Sequence, residues 1–151
     1  MQSARPGFTL IELMVVVSII AVLAAVGLVL YQQAQKAGRD GKRIGDMQEV
    51  QKALEQYYAA NGTYPAAAAY SNLTTYIATY FASGSVPADP GANTYTYSRN
   101  ASCTGGLDKY VVCAKVELIS KANSDTAATD ACASLTKSAT SEYYCAKSLA
   151  N

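Results

Sequence analysis

Pro6-Gly7-Phe8-Thr9-Leu10-Ile11-Glu12, followed at once by the apolar run Leu13 to Leu30, decides how this chain of 151 residues is built. The run holds 18 residues, and Ser18 is its one clearly polar member. That meets the length at which a helix crosses a bilayer. Counted from Phe8 to Tyr31 the stretch has 24 residues, which as a helix covers roughly 36 Å, enough for a hydrocarbon core of about 30 Å. A cleaved secretory signal also joins a basic start to an apolar core. Here, however, Arg5 is the sole cation ahead of the run, the run is longer than a usual signal core, and Glu12 sits at its entrance. An acidic side chain at the centre of a membrane costs about 2.5 to 3.5 kcal/mol, so Glu12 calls for a reason.

One reason is local. Thr9-Leu10-Ile11-Glu12 has the spacing of a capping box, in which the Thr9 hydroxyl and the Glu12 side chain satisfy open amides at a helix start, with Phe8 and Leu13 placed as the flanking staple. A second reason comes from likeness. Gly7-Phe8-Thr9-Leu10-Ile11-Glu12 resembles the processing junction of the type IV pilins and pilin-like proteins. In that family a dedicated membrane peptidase cuts after a glycine and N-methylates the new first residue. The resemblance implies a cut between Gly7 and Phe8, a methylated Phe8 amine, and Glu12 as the charge that subunits use with Phe8 during assembly. Asp46 to Tyr58, followed by Asn61-Gly62-Thr63-Tyr64-Pro65, is similar to the end of the long pilin helix and its exit turn. Together the two matches cover about residues 6 to 65; beyond them the likeness lies only in the order of elements.

The resemblance implies a leader at residues 1–7, a transmembrane and polymerisation helix at 8–31, and the rest of the helix with an extracytoplasmic head at 32–151. It implies a precursor in the cytoplasmic membrane and a filament on the cell surface used for adhesion, motility or DNA uptake. The implied partners are identical subunits in a helical polymer, the prepilin peptidase, the pilus assembly machinery and the membrane, with no cofactor and no metal. The alternatives are a pseudopilin of a type II secretion system and a membrane-tethered binding module that does not polymerise. Gly27 offers a point at which the helix can loosen when it leaves lipid; many relatives have a proline in this part of the helix, and none lies between Phe8 and Tyr58, which argues against local melting.

Charge and composition bound the rest. Without residues 1–7 the chain has 11 Lys and Arg against 11 Asp and Glu, which gives no global basic field for a nucleic acid. There is no histidine, so a Ser-His or Cys-His pair is excluded, and no glycine-rich phosphate loop occurs. The chain reads as a non-enzyme. Asp89 with Asp108 or Asp125 offers carboxylates to calcium, although solvated loop acids are the commoner reading. Twelve tyrosines against two phenylalanines and no tryptophan suggest half-wet packing positions. The sequons at Asn61, Asn72 and Asn100 matter only in a host that glycosylates them.

Lys36, Arg39, Lys42 and Arg43 follow the apolar run, and by the positive-inside bias they would hold the tail in the cytoplasm. The cysteines argue the other way. Cys103, Cys113, Cys132 and Cys145 all follow the apolar run with spacings that fit no zinc pattern, so two disulfides in an oxidising compartment are expected. Three connectivities are open; the short loops favour Cys103 with Cys113 and Cys132 with Cys145.

Hydrophobic periodicity gives the elements. Ile44, Met47, Val50, Leu54 and Tyr57 or Tyr58 step by three and four residues, an amphipathic continuation of the first helix, with Asp46, Glu49, Lys52 and Glu55 turned outward. Asn61-Gly62 ends it. Leu73, Tyr76, Ile77, Tyr80 and Phe81 predict a second helix from a Ser71 cap to the stop at Gly84. Strands are expected around Tyr95 and Tyr97, from Tyr110 to Ile119, and from Ser141 to Leu149, with plain loops at 66–69 and 123–129. The fold class is therefore α+β, a long N-terminal helix, transmembrane and then amphipathic, packed on a small antiparallel sheet of about three strands, which is the pilin fold that the resemblance implies.

Overall fold

A computed structural model describes residues 7–103, 107–127 and 129–149. Residues 1–6 of the expected leader lie outside the described residues. The first helix, α1, runs Leu10–Asn61, 52 residues. Contacts divide the chain into two units, Met1–Gln35 and Lys36–Asn151, so α1 contributes its apolar part to the first and its amphipathic part to the second. It stops where the sequence says it should. Gly62 takes a φ of 72°, and its amide donates to the Tyr58 carbonyl at 2.7 Å. That left-handed cap is open to glycine at little steric cost.

In the second unit Met47, Val50 and Leu54 of α1 are wholly buried, as the three- and four-residue spacing requires. Each such side chain contributes about 1.5 to 3 kcal/mol by leaving water. They pack on an antiparallel sheet of order β1-β2-β3, formed by Thr96–Cys103, Leu107–Lys115 and Tyr143–Lys147. The register sets Tyr97 opposite Val112 and Val112 opposite Ala146. Alternation then gives the sheet two apolar faces. Tyr97, Tyr110, Val112, Ala114 and Ala146 meet the helix, while Val111, Cys113 and Cys145 meet Ala131, with Leu135 and Tyr143 beside them. The architecture is the α+β arrangement expected of a pilin fold.

Several elements differ in detail. The expected second helix is broken into 3₁₀ turns at Tyr70–Leu73 and Ala78–Tyr80 around a single helical turn, α2, at Thr74–Ile77. Ser71 bonds to the Asn72 side chain instead of capping. Strand β2 stops at Lys115, short of Ile119, because the Glu117 and Leu118 amides turn onto the Asp40 carboxylate at 2.8 to 3.1 Å. Strand β3 is shorter than Ser141 to Leu149, since Ser141 bonds to Asp125 and the Leu149 amide donates to Glu55. Nor is the stretch after Ala122 a plain loop: Ser124 bridges to Tyr143, and the Asn123 side chain bonds both backbone groups of Cys145.

Two polar side chains expected to face outward do not. Asp46 is 8% exposed and accepts from the Tyr95 hydroxyl at 2.7 Å. Glu55 is half-buried and accepts from the hydroxyls of Tyr64 at 2.9 Å and Tyr110 at 3.0 Å. Five of the twelve tyrosines are drier than expected, while the others are half-buried or exposed. Tyr64, Tyr70, Tyr95, Tyr97 and Tyr110 are all buried, and the hydroxyls of Tyr70 and Tyr97 donate to the Pro87 and Pro65 carbonyls. Each ring thus brings apolar area into the core and has an internal acceptor for its one polar atom.

Candidate functional site

The start of α1 is built by backbone chemistry first. A helix start leaves amides without intrahelical partners. Thr9 and Glu12 supply them: the Glu12 amide donates to Thr9 Oγ1 at 3.3 Å, and the Thr9 amide donates to Glu12 Oε2 at 2.8 Å. The Thr9 hydroxyl donates to the same oxygen at 2.7 Å. This is the reciprocal capping box read from the sequence. Both Thr9 contacts fall on Oε2, and among the described residues Oε1 accepts no bond. Ser18, the polar interruption of the run, donates to the Met14 carbonyl at 2.7 Å and so satisfies itself within the helix.

Phe8 is 88% exposed beside this box, and the large apolar side chains from Leu10 to Tyr31 are exposed by 48% to 76%. A surface of that extent is stable only against lipid or other apolar helices. Around Gly27 nothing stands within 4 Å of an added side-chain carbon, so its glycine answers no close contact within the chain. Gly7, Phe8, Thr9 and Glu12 thus fall in one short segment at the start of α1.

The four cysteines form two disulfides, with pairings that correct the short-loop expectation: Cys103 with Cys132 and Cys113 with Cys145. The reason is the direction of the hairpin. Cys113 lies opposite Thr96, at the far end of β1 from Cys103, which lies opposite Leu107. Seven residues of strand separate those positions, roughly 20 Å, far beyond disulfide reach. Cys113 and Cys145 instead face each other across β2 and β3, with Cα atoms 4.1 Å apart.

Sequence reading missed the charged group that organises the head. Arg43, 1% exposed, donates to Asp40 at 2.8 Å, to Asp89 at 2.7 and 3.1 Å, and to Glu117 at 2.8 Å. Arg39 holds Glu117 through two further bonds at 2.6 and 2.7 Å. The donors of Arg39 and then Arg43 pull the Glu117 carboxyl down to about 2. Burial raises Asp89, but Arg43 and the Gly91 amide outweigh it and leave the group below its ordinary value. Gly91 lets this group pack closely, because a side-chain carbon there would stand 3.1 Å from Arg43 Nη2 and 3.2 Å from Asp89 Oδ1 and both would have to give by a few tenths of an ångström. The i,i+3 pair Asp40 and Arg43 was the available signal, hidden inside a cluster that reads as membrane-flanking cations.

The three aspartates considered for calcium have separate partners. Asp89 belongs to Arg43, Asp108 accepts two bonds from Arg99 at 2.8 Å and one from the Tyr64 amide, and Asp125 accepts from Ser138 and Ser141. Among the described residues no group of three or more metal-ligating side chains comes together.

Known proteins resemble part of this chain in sequence. The prokaryotic N-terminal methylation motif matches residues 3–28. The chain is 37% identical over 65 residues to the type IV major pilin protein PilE1 of Neisseria gonorrhoeae, covering 43% of this chain and 39% of that protein. It is 29% identical over 93 residues to the fimbrial protein EcpC of Eikenella corrodens, covering 62% and 61%. It is 33% identical over 96 residues to the toxin coregulated pilin of Vibrio cholerae, covering 63% and 42%. The match thus spans less than two thirds of the length of each of these relatives. No solved structure matches the chain. The methylation motif, the curated relatives and the α+β fold together support the type IV pilin family for this chain.

Proposed function

We propose that this chain is a structural subunit of a type IV pilus, cut between Gly7 and Phe8 by a prepilin peptidase, methylated at Phe8 and polymerised through its N-terminal helix. Residues 1–7 are the leader, 8–31 the membrane and polymerisation segment, and 32–151 the remaining helix and the head outside the cytoplasm. The family likeness points to a structural protein and not to an enzyme. Before assembly the apolar helix lies in the cytoplasmic membrane; afterwards it is covered by the helices of identical subunits in a surface filament serving adhesion, motility or DNA uptake. Repeating one heterologous contact without closure gives such a helical polymer. The assembly machinery is the remaining partner.

One observation carries this reading: a carboxylate held in place at the entrance of an otherwise uncovered apolar helix. Thr9 engages Oε2 of Glu12 and leaves Oε1 open, so capping and charge pairing are compatible. Inside an apolar filament core an unpaired Phe8 ammonium is costly, and a Glu12 carboxylate from a neighbour offsets that cost. Glu12→Gln separates the two roles, because glutamine also serves a capping box. The variant is expected to insert and be cut after Gly7 yet to give few or no filaments in sheared surface fractions viewed by electron microscopy. Normal filament yield would leave the capping box as the sufficient role. Intact mass of the wild-type subunit is expected to give a methylated chain starting at Phe8; a chain starting at Met1, Ala25 or Val26 overturns the processing step. A short periplasmic assembly, with secretion lost on deletion, marks a secretion pseudopilin instead.

A further inference from the structure

Asn61 is the one asparagine in the chain followed by glycine, and it stands exposed at the last position of α1. Asparagine before glycine is the pair most open to spontaneous imide formation, because no side chain on the following residue hinders its backbone nitrogen. In that step the Gly62 nitrogen attacks Asn61 Cγ, a C–N bond forms, the Cγ–Nδ2 bond breaks and ammonia leaves. Water then opens the imide to aspartate or to isoaspartate. No oxidant or reductant is needed.

The cap of α1 engages both nitrogens that this step must free. The nucleophile donates its hydrogen to the Tyr58 carbonyl at 2.7 Å. The leaving group, Asn61 Nδ2, donates to the Tyr57 carbonyl at 2.8 Å. Gly62 is also held at a φ of 72°. We propose that Asn61–Gly62 is a latent modification site, locked while the last turn of α1 is closed and converted to aspartate or isoaspartate when that turn opens. The product acts against the fold in two ways. A new carboxylate at a helix C-terminus opposes the helix dipole. Isoaspartate also adds a methylene to the main chain, three residues before the Tyr64 amide that bonds Asp108 at 2.8 Å. The site therefore couples chemical ageing of the chain to the joint between α1 and the sheet.

The test uses the full chain in detergent at mildly alkaline pH, with peptide mapping that separates Asn61 from its aspartate and isoaspartate products. The comparison is the same chain reduced and held in guanidinium. The folded chain is expected to convert at Asn61 at least about tenfold more slowly than the denatured chain, as a closed helix end requires. Equal rates in the two states overturn the lock. Asn61→Gln, whose imide closes a larger and slower ring, is expected to remove the products from this peptide in both states; persistence of an acidic product there would place the chemistry elsewhere and overturn the site.

Discussion

Arg43 shows how one residue can hold three parts of the chain together. It reaches Asp40 within α1, Asp89 in the turn before β1, and Glu117 after β2. Breaking a buried ion group by removing one partner leaves uncompensated charge, which costs about 3 to 5 kcal/mol. Arg43→Met is therefore expected to lower the thermal midpoint of the detergent-solubilised chain sharply, and adding Asp40→Asn and Asp89→Asn to recover much of the loss. A fall no larger than that of Arg39→Met would show that the group contributes little. The same residues set the acid limb of stability. Asp89 and Glu117 have folded values below their unfolded ones, so their contribution is present above the ordinary carboxylate range. It is lost as pH falls, toward about 2 for Glu117. Asp46 has the opposite sign: burial raises it, so its contribution is greatest in acid and is lost as pH rises through the folded value. In Arg43→Met the loss of stability between the ordinary carboxylate range and pH about 2 is expected to flatten, which an acid titration by circular dichroism reads directly.

Among elements, long-period signals were legible and ladder geometry was not. The apolar run and the three- and four-residue spacing of Met47, Val50 and Leu54 give α1, and Asn61-Gly62 gives its end, because both rest on local backbone physics. The Thr9 and Glu12 box was equally local. By contrast, the extent of β2 depends on Asp40, 77 residues away from Glu117 in sequence, and the burial of Asp46 depends on Tyr95. No window along the chain contains both partners. The cysteines show the same divide most clearly, since neighbours in sequence lie at opposite ends of a hairpin while distant ones share a rung. Peptide mapping without reductant is expected to join the Cys103 peptide to Cys132 and the Cys113 peptide to Cys145, with no free thiol. A Cys103 to Cys113 link would contradict the strand register itself. The disulfides close loops with sequence separations of 29 and 32 residues, so loss of either is expected to cost roughly 3 to 4 kcal/mol.

For the whole molecule, the decisive fact is that the apolar and globular functions fall in separate compact units along one continuous helix. The buried residues of α1 begin at Asp40, within the second unit, and the large apolar side chains from Phe8 to Tyr31 are exposed. The second unit contains its own core, two disulfides and a buried charge group. A chain beginning at Gln32, one helical turn before the boundary, is expected to be soluble and monomeric when produced in an oxidising compartment. It should form both disulfides and unfold within about 4 °C of the full chain, the shift that about 1 kcal/mol produces in a domain of this size. It is also expected not to enter filaments when expressed beside the intact subunit, because it lacks both Glu12 and the apolar surface. Sedimentation, thermal melting and electron microscopy measure these three outcomes. Aggregation or loss of the cooperative melt would mean that the first unit supports the head, and incorporation into filaments would mean that assembly is driven by head contacts and not by the N-terminal helix.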